Sequence, residues 1–459
     1  MTLPPPAPSG TGLTDYRGML LAVPVSDHSA AGPTPVVSLP QLSNGKATRL
    51  SLVEALFFVG IDWAARVHAV CVLDGNGKKV AAFTIEHTAA GFAKLADRLG
   101  KLTDDPGSVP IAIERPDGRL VDVLLEAGHP VVPVKPNAIK TWREGEVLSG
   151  AKSDAGDAQV IAEYLRLRAG RLRPAVPYSD DTKAVRTVSR ARTDLVGARV
   201  AASNQLAALL DNHWPGAKEI FADLASPIAL AFLTHYPTPS AAARLGVKRI
   251  AAFCAKHGYS GRRSPQALLD RLRAAPAGST GPALTEALGD AVLAHVRVLT
   301  ALNTAVKDLD RSVAARLAEH PDGQVFASFP RAGTINAAQI LAEWGDARAA
   351  YTGPEAIAAL AGLVPVTRAS GKHRGVSFRW ACNKRLRVAI TTFADNSRHE
   401  SPWAADIYKR ARASGKDHPH AVRILARSWT RIMWRCWING TPYDPAHHTG
   451  AQPRTADAA

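Results

Sequence analysis

The sequence predicts a mixed α/β N-terminal domain, a long helical coiled-coil linker and a mainly α C-terminal domain, and three observations carry that prediction. The first is the unbroken apolar run Phe57-Phe58-Val59-Gly60-Ile61, which ends in Asp62 and Trp63 and suits a strand covered on both faces. The second is a pair of long stretches, Thr182 to Asn212 and Ala283 to Glu319, whose apolar residues recur in steps of three and four. The third is the change to short helices after Gln324, closing on a basic helix at about 421–437.

In the N-terminal domain, His68 to Leu73 reads as the hairpin partner of the first strand. It closes on the turn Asp74-Gly75-Asn76-Gly77, and a third strand follows at Val80 to Ile85. A helix at Gly91 to Leu102 leads to a strand at Val109 to Ile113 that ends in Glu114. A helix at Leu120 to Ala127 precedes the strand Pro130 to Val134, and a connection over Lys135 to Gly150 reaches a helix carrying Asp154 and Asp157.

In the first long helix the seam is Val185, Val188, Leu195, Val196, Val200, Leu206 and Leu209; in the second it is Leu299, Leu302, Val306, Leu309 and Val313. Two such helices around an insertion pack as an antiparallel arm with the insertion at its tip, or pair between subunits. The resulting division is 1–56 as a disordered extension, 57–175 as the α/β domain, 180–322 as the arm, 324–440 as the C-terminal domain and 441–459 as a disordered tail.

At 459 residues the chain has room for two or three cores. Cys71, Cys254, Cys382 and Cys436 stand far apart, which argues against a disulfide framework or a zinc knuckle and fits a reducing cytoplasm. No apolar run approaches the roughly 18 residues of a membrane span.

A formal charge of +16 and a pI near 9.9 predict a polyanionic partner. The excess is concentrated between Pro365 and Gly440, where sixteen Lys and Arg face four acids. Trp380, Trp403, Trp429, Trp434 and Trp437 interleave there, at a spacing that suits core packing better than base stacking.

Asp62 and Glu114 end two strands, and Asp154 and Asp157 share one helix face. Alone, Asp62 reads equally well as a strand-end cap. Together the four carboxylates are hard oxygen ligands suited to Mg²⁺ or Mn²⁺, and two such metals can activate a nucleophile and stabilise a leaving oxygen at a phosphodiester. The order strand-acid, strand-acid, helix-acid is the plan of ribonuclease-H-like nucleases.

Phe58-Val59-Gly60-Ile61-Asp62-Trp63, Glu114 and Lys152-Ser153-Asp154-Ala155-Gly156-Asp157-Ala158 resemble the DEDD transposases of the insertion-sequence one-hundred-ten family, whose N-terminal domain is similar to RuvC. Ala361-Gly362-Leu363-Val364-Pro365 and Ala369-Ser370-Gly371-Lys372 resemble that family's C-terminal transposase motif, which places Ser370 in the nucleophile's position. On spacing alone Ser370 reads as a turn serine. The turn Pro330-Arg331-Ala332-Gly333 departs from the family by carrying Arg where Gly is usual.

The resemblance implies a Mg²⁺-dependent recombinase of donor and target DNA, guided by a structured RNA from its own element and acting as a homodimer or homotetramer at the bacterial nucleoid. It implies catalytic roles for Asp62, Glu114, Asp154, Asp157 and Ser370. Lys372, Arg374, Lys384, Arg385 and Arg387 are the expected nucleic-acid contacts, on the charge of their region. The competing readings are a metal-dependent junction nuclease without a covalent serine step, and an inactive nucleic-acid-binding protein.

Overall fold

The computed structural model describes residues 52–115, 118–146, 153–275, 281–370 and 373–448. Of the two termini expected to be disordered, residues 1–51 and 449–459 lie outside the described residues, and the remainder is anchored at single side chains. Leu52 is buried in a 3₁₀ turn at Leu52–Glu54. At the other end Tyr443 stacks on Phe329, and its N–H donates to Ser328 Oγ at 2.8 Å. In each case one large apolar side chain finds a place in a core, which composition counts do not register.

The N-terminal sheet contains β1 (Phe57–Asp62), β2 (Val67–Asp74), β3 (Lys79–Glu86), β4 (Ile111–Ile113) and β5 (Val131–Pro133), in the order β3-β2-β1-β4-β5. β1 pairs antiparallel with β2 and parallel with β4, and β4 pairs parallel with β5. The β2–β3 turn forms as its residues dictate: Asp74 Oδ1 accepts from the N–H groups of Asn76 and Lys78, and Gly77 takes a φ of +86°.

Alternation along β1 sorts its side chains. Val59 and Ile61 meet α1 (Ala89–Gly100) and α2 (Arg119–Glu126) on one face. The opposite face, with Phe58 and Gly60, meets α4 (Asp154–Arg168), beside which lies α3 (Pro136–Glu146). The stretch expected as a plain connection is thus largely helical. Its packing rests on few residues, chiefly Ile139 and Trp142, whose ring meets Tyr164 edge-on at 5.5 Å.

Gly60 sets the depth at which α4 sits. A Cβ there would lie 2.1 Å from the Ala158 carbonyl oxygen and 2.4 Å from the Ala162 nitrogen, both backbone atoms of α4. With Ala158 and Ala162 one helical turn apart and fully buried, helix backbone rests almost directly on strand backbone.

The arm is built from α5 (Asp180–His213), five short helices, α6 to α10, within residues 215–274, and α11 (Pro282–Glu319). Three polar pairs fix the direction of the two long helices: Thr182 with His320, Arg192 with Asp310, and Arg199 with Asn303. One number falls as the other rises, so the helices run antiparallel within one chain. The short helices close the far end, where Leu206 and Leu210 of α5 and Val292 and Val296 of α11 share a core with Phe232, Ile250 and Leu268. Val200, read as part of the seam, is 52% exposed, and its neighbour Ala202 is buried instead. A long straight helix drifts relative to a 3.5-residue repeat, so one register does not hold over its whole length.

The C-terminal domain holds α12 (Gly323–Ala327), α13 (Thr334–Trp344), α14 (Pro354–Leu360), the hairpin β6 (Val366–Ser370) and β7 (His373–Ser377), then α15 (Lys384–Ser397), α16 (Pro402–Ala413) and α17 (His418–Asn439). Trp344, Phe393, Trp429 and Trp437 form its centre, joined by Val185, Val313 and Leu317 from the base of the arm. The arm and this domain are further tied by Glu343. Its buried carboxylate accepts from Arg190 Nε and Nη2 at 2.7 and 2.9 Å and from Asn383 Nδ2 at 2.8 Å. Burial pushes this carboxyl up, but the hydrogen bonds from Arg190 and Asn383 and the charges of Arg190 and Arg186 outweigh it and hold the group below the usual range.

Gly60→Ala is expected to lower unfolding stability by about 1–3 kcal/mol, the usual cost of overpacking, and to lower activity although no acid is touched. Denaturant unfolding and a DNA cleavage assay check this, and an unchanged midpoint would count against the close approach. A second expectation concerns His320, whose Nδ1 accepts from the Asp322 N–H at 3.0 Å, leaving Nε2–H to donate to Thr182 Oγ1 at 2.8 Å. Burial pushes its pKa below 6.5, against the opposing pull of Asp322, Asp346 and Asp181. The unfolded state therefore takes the proton first. The His320 contribution is complete above pH 6.5 and declines as pH falls below that value. His320→Gln should make the acid limb of stability against pH shallower, by at most about 1.4 kcal/mol per pH unit; an equally steep limb would contradict the assignment.

Candidate active site

The carboxyl ends of parallel strands in an open α/β sheet form a natural crevice, and β1 and β4 both end in acids there. Gly60 pairs with Ala112 and Ile61 with Ile113, so the next step in register sets Asp62 beside Glu114. Asp62 lies two residues after Gly60 and hence on the face that α4 covers. Ser153 caps α4 by accepting from the Gly156 N–H at 3.1 Å, and Asp154 and Asp157 occupy its first turn, where the helix dipole favours negative charge. Asp62, Glu114, Asp154 and Asp157 all line one cleft of about 290 Å³, together with Asn137, Lys140 and Arg143 of α3.

The two strand ends are tied to each other. The Arg115 guanidinium lies 4.4 Å over the Trp63 ring, joining the residue after Glu114 to the residue after Asp62. The loop beyond Trp63 is pinned by the Ala64 N–H donating to His68 Nδ1 at 3.2 Å. That bond leaves the proton on His68 Nε2, which donates to His87 Nδ1 at 2.8 Å. His68 is fully buried, and burial followed by the nearby His87 pushes its pKa down, which favours the neutral His68 ring.

Arg143 is the site residue that sequence reasoning missed. Its Nη1 donates to Asp157 Oδ1 at 2.7 Å, and both side chains are largely buried. That hydrogen bond, with the charges of Asp157 and Glu114, raises the pKa of Arg143 further. Lys140 and Arg143 are three apart and share a face of α3, a signal available once 136–146 is read as a helix. Among the described residues no three His, Cys, Asp or Glu side chains stand close enough together to hold a metal ion. The donor chemistry around the cleft fits a hard divalent cation, whereas the side-chain spacing as it stands keeps Asp157 on Arg143.

Ser370 is placed elsewhere. It is the last residue of β6, exposed, opposite His373 across the hairpin, and it does not line the acid cleft. Lys372 lies outside the described residues, as does the side chain of Arg374. Lys384 is exposed, while Arg385 donates to Asp194 of α5 at 2.8 Å. Arg387 is turned inward: it donates to the carbonyls of Ala361 and Arg379 and packs on the Phe378 ring, so its guanidinium supports the base of the hairpin. Of the tryptophans, Trp429 and Trp437 are core as expected, whereas Trp380 is 76% exposed just beyond β7.

No helix among the described residues is long and apolar enough to cross a membrane. Residues 59–215 match the DEDD transposase family of IS110, and residues 323–409 match the family described as transposase IS116/IS110/IS902. The protein assigned as transposase of the IS117 mini-circle from Streptomyces coelicolor is 34% identical over 83% of this chain and 93% of its own length. The uncharacterized 42 kDa protein of insertion element IS900 from Mycobacterium paratuberculosis is 28% identical over 86% of this chain and 98% of its own. The uncharacterized 44.8 kDa protein of IS116 from Streptomyces clavuligerus is 27% identical over 85% and 96%. With the cleft's four acids inside the first match and Ser370 inside the second, the chain belongs to the IS110 family of insertion-sequence DNA transposases.

Proposed function

We propose that this transposase cuts and rejoins DNA through a serine ester at Ser370, with Mg²⁺ held by Asp62, Glu114, Asp154 and Asp157 in a RuvC-like domain, and with a structured RNA as guide. The observation that carries the proposal is the convergence of all four acids on one cleft at the ends of β1 and β4. The sheet order, with β1 flanked by an antiparallel β2 and a parallel β4, supports the ribonuclease-H-like reading.

A bound divalent cation would supply Lewis-acid polarisation of a phosphate oxygen. The remaining chemistry falls to the chain. Ser370 Oγ attacks phosphorus and gives up its proton; the Oγ–P bond forms, one strand's P–O bond breaks, and the departing oxygen is protonated. Reversal by a strand-end hydroxyl restores the phosphodiester and the serine without an external energy source. Arg143 gives Asp157 a counter-charge in the meantime.

Because Ser370 does not line the acid cleft of its own chain, the proposed reaction joins the serine of one copy to the acids of another, in a dimer or tetramer. The same separation favours one rival, in which the acids activate water and Ser370 is structural.

Denaturing electrophoresis with labelled DNA, the co-purifying RNA and Mg²⁺ separates the two. Ser370→Ala is expected to bind nucleic acid but to lose cleavage and covalent capture by about 10³-fold or more, as loss of a nucleophile does. Ser377→Ala, whose hydroxyl only donates to the Val366 carbonyl, should keep both. Normal cutting by Ser370→Ala would leave the water-activating nuclease as the better account. Sequencing the co-purifying RNA tests guidance: segments complementary to the element's flanking DNA are expected, and their absence would contradict it.

A further inference from the structure

Several basic residues of the C-terminal domain are engaged with protein oxygens. Arg427 and Arg431 both reach Glu355 at 2.8 Å, Arg398 reaches Asp395 at 2.7 Å, and Arg379 donates to the Val364 carbonyl at 3.1 Å. The closing cap of the arm carries open cations that border clefts. Residues 214–275 carry nine Lys and Arg against three acids. Among the described residues, Lys256, Arg262 and Arg263 of the cap and Lys307 of α11 have no hydrogen-bond or ion-pair partner, and all four are exposed.

These four cations line one surface. A cleft of about 520 Å³ is bordered by Lys256, His257, Thr300 and Lys307, and a second of about 730 Å³ by His257, Arg262 and Arg263. The two share Pro227 and His257, so they form one continuous groove. Asp223, the carboxylate among its lining residues, is turned to the Ala225 N–H at 2.9 Å.

We infer that this groove at the far end of the arm binds the phosphate backbone of duplex DNA beside the cleavage site. The occupant follows from three features. Four open cations against the single carboxylate of Asp223 fit a polyanion, whose condensed counterions they displace. The phenyl and phenol rings of the groove are already committed, with Phe221 buried and Tyr259 against it at 5.8 Å, while the smaller imidazoles of His235 and His257 are exposed. That leaves no Phe, Tyr or Trp ring open as a platform for an unstacked base, so the surface suits stacked duplex better than single-stranded nucleic acid. Finally, α5 has 34 residues, which carries the cap about 50 Å from the arm's base, a span of roughly 15 base pairs at 3.4 Å each.

The test uses the full-length protein and fluorescence anisotropy over a range of salt, with a mixed-sequence duplex of roughly 40 base pairs and a single-stranded RNA of matching length, sized to exceed the arm's span. In the variant Lys256→Gln/Arg262→Gln/Arg263→Gln/Lys307→Gln, the slope of log affinity against log salt for duplex is expected to flatten by about three to four, and affinity at moderate salt to fall about 10²-fold. RNA affinity should change less than about threefold, well below the effect of four lost phosphate contacts. An unchanged duplex slope, or a larger loss for RNA than for duplex, would overturn the inference. If the quadruple variant melts early, Arg262→Gln/Arg263→Gln in the loop before the helix Pro265–Ala274 replaces it, with an expected flattening of about two; no flattening there is equally decisive.

Discussion

The contact between Gly60 and α4 is the constraint on which the candidate active site depends. A strand residue without a side chain lets a helix lie on backbone, and only at that depth does the first turn of α4 reach the end of β1. Alternation along the strand then decides which acids meet. Residues 58, 60 and 62 share one face, and the β1–β4 register brings Glu114 alongside. Fixing the helix on Gly60 thereby positions Asp154 and Asp157 through backbone packing. This suits carboxylates, since their mutual repulsion would otherwise force them apart.

A second constraint acts between the arm and the C-terminal domain. Glu343 is a buried carboxylate whose oxygens are matched by Arg190 on α5 and Asn383 ahead of α15, with Arg186 at 3.9 Å. Removing one partner from such a group leaves an uncompensated buried charge, which costs far more than the pair contributes when intact. The arm is therefore set at a defined angle at its base, where Val185, Val313 and Leu317 complete the C-terminal core. An arm fixed in this way can carry a DNA-binding surface at its tip to a defined place along a duplex.

Much of this was legible in the sequence because its signals are local. Strand runs ending in Asp62 and Glu114, the Asp-Gly-Asn-Gly turn and the Ser153 cap each announce an element through nearby residues. The hairpin that carries Ser370 was not legible. Thr367, Ala369, Gly375 and Val376 are all exposed, so no buried face imposes the period of two that marks a strand. Arg143 escaped because its meaning lies in a contact fourteen residues away with Asp157. Arg387 was misjudged for a related reason: composition counts a charge, whereas its guanidinium is held by the carbonyls of Ala361 and Arg379. Arg331, with a φ of +55°, is the one non-glycine described residue in the left-handed region. Glycine adopts that conformation freely, whereas Arg carries the steric cost of its Cβ there, so the departure at this turn is not explained by the backbone.

The four acids held by one packing contact are proposed to act as a single divalent-cation site. Direct Mn²⁺ binding, followed by electron paramagnetic resonance in the absence of DNA, tests it without relying on activity. Wild-type protein should bind Mn²⁺ saturably, and each of Asp62→Asn, Glu114→Gln, Asp154→Asn and Asp157→Asn should weaken binding by roughly tenfold or more, as loss of a ligand or its close support does. Arg143→Gln, which frees Asp157, should bind more tightly. Saturable binding that none of the four substitutions alters, or no binding by the wild type, would contradict the account.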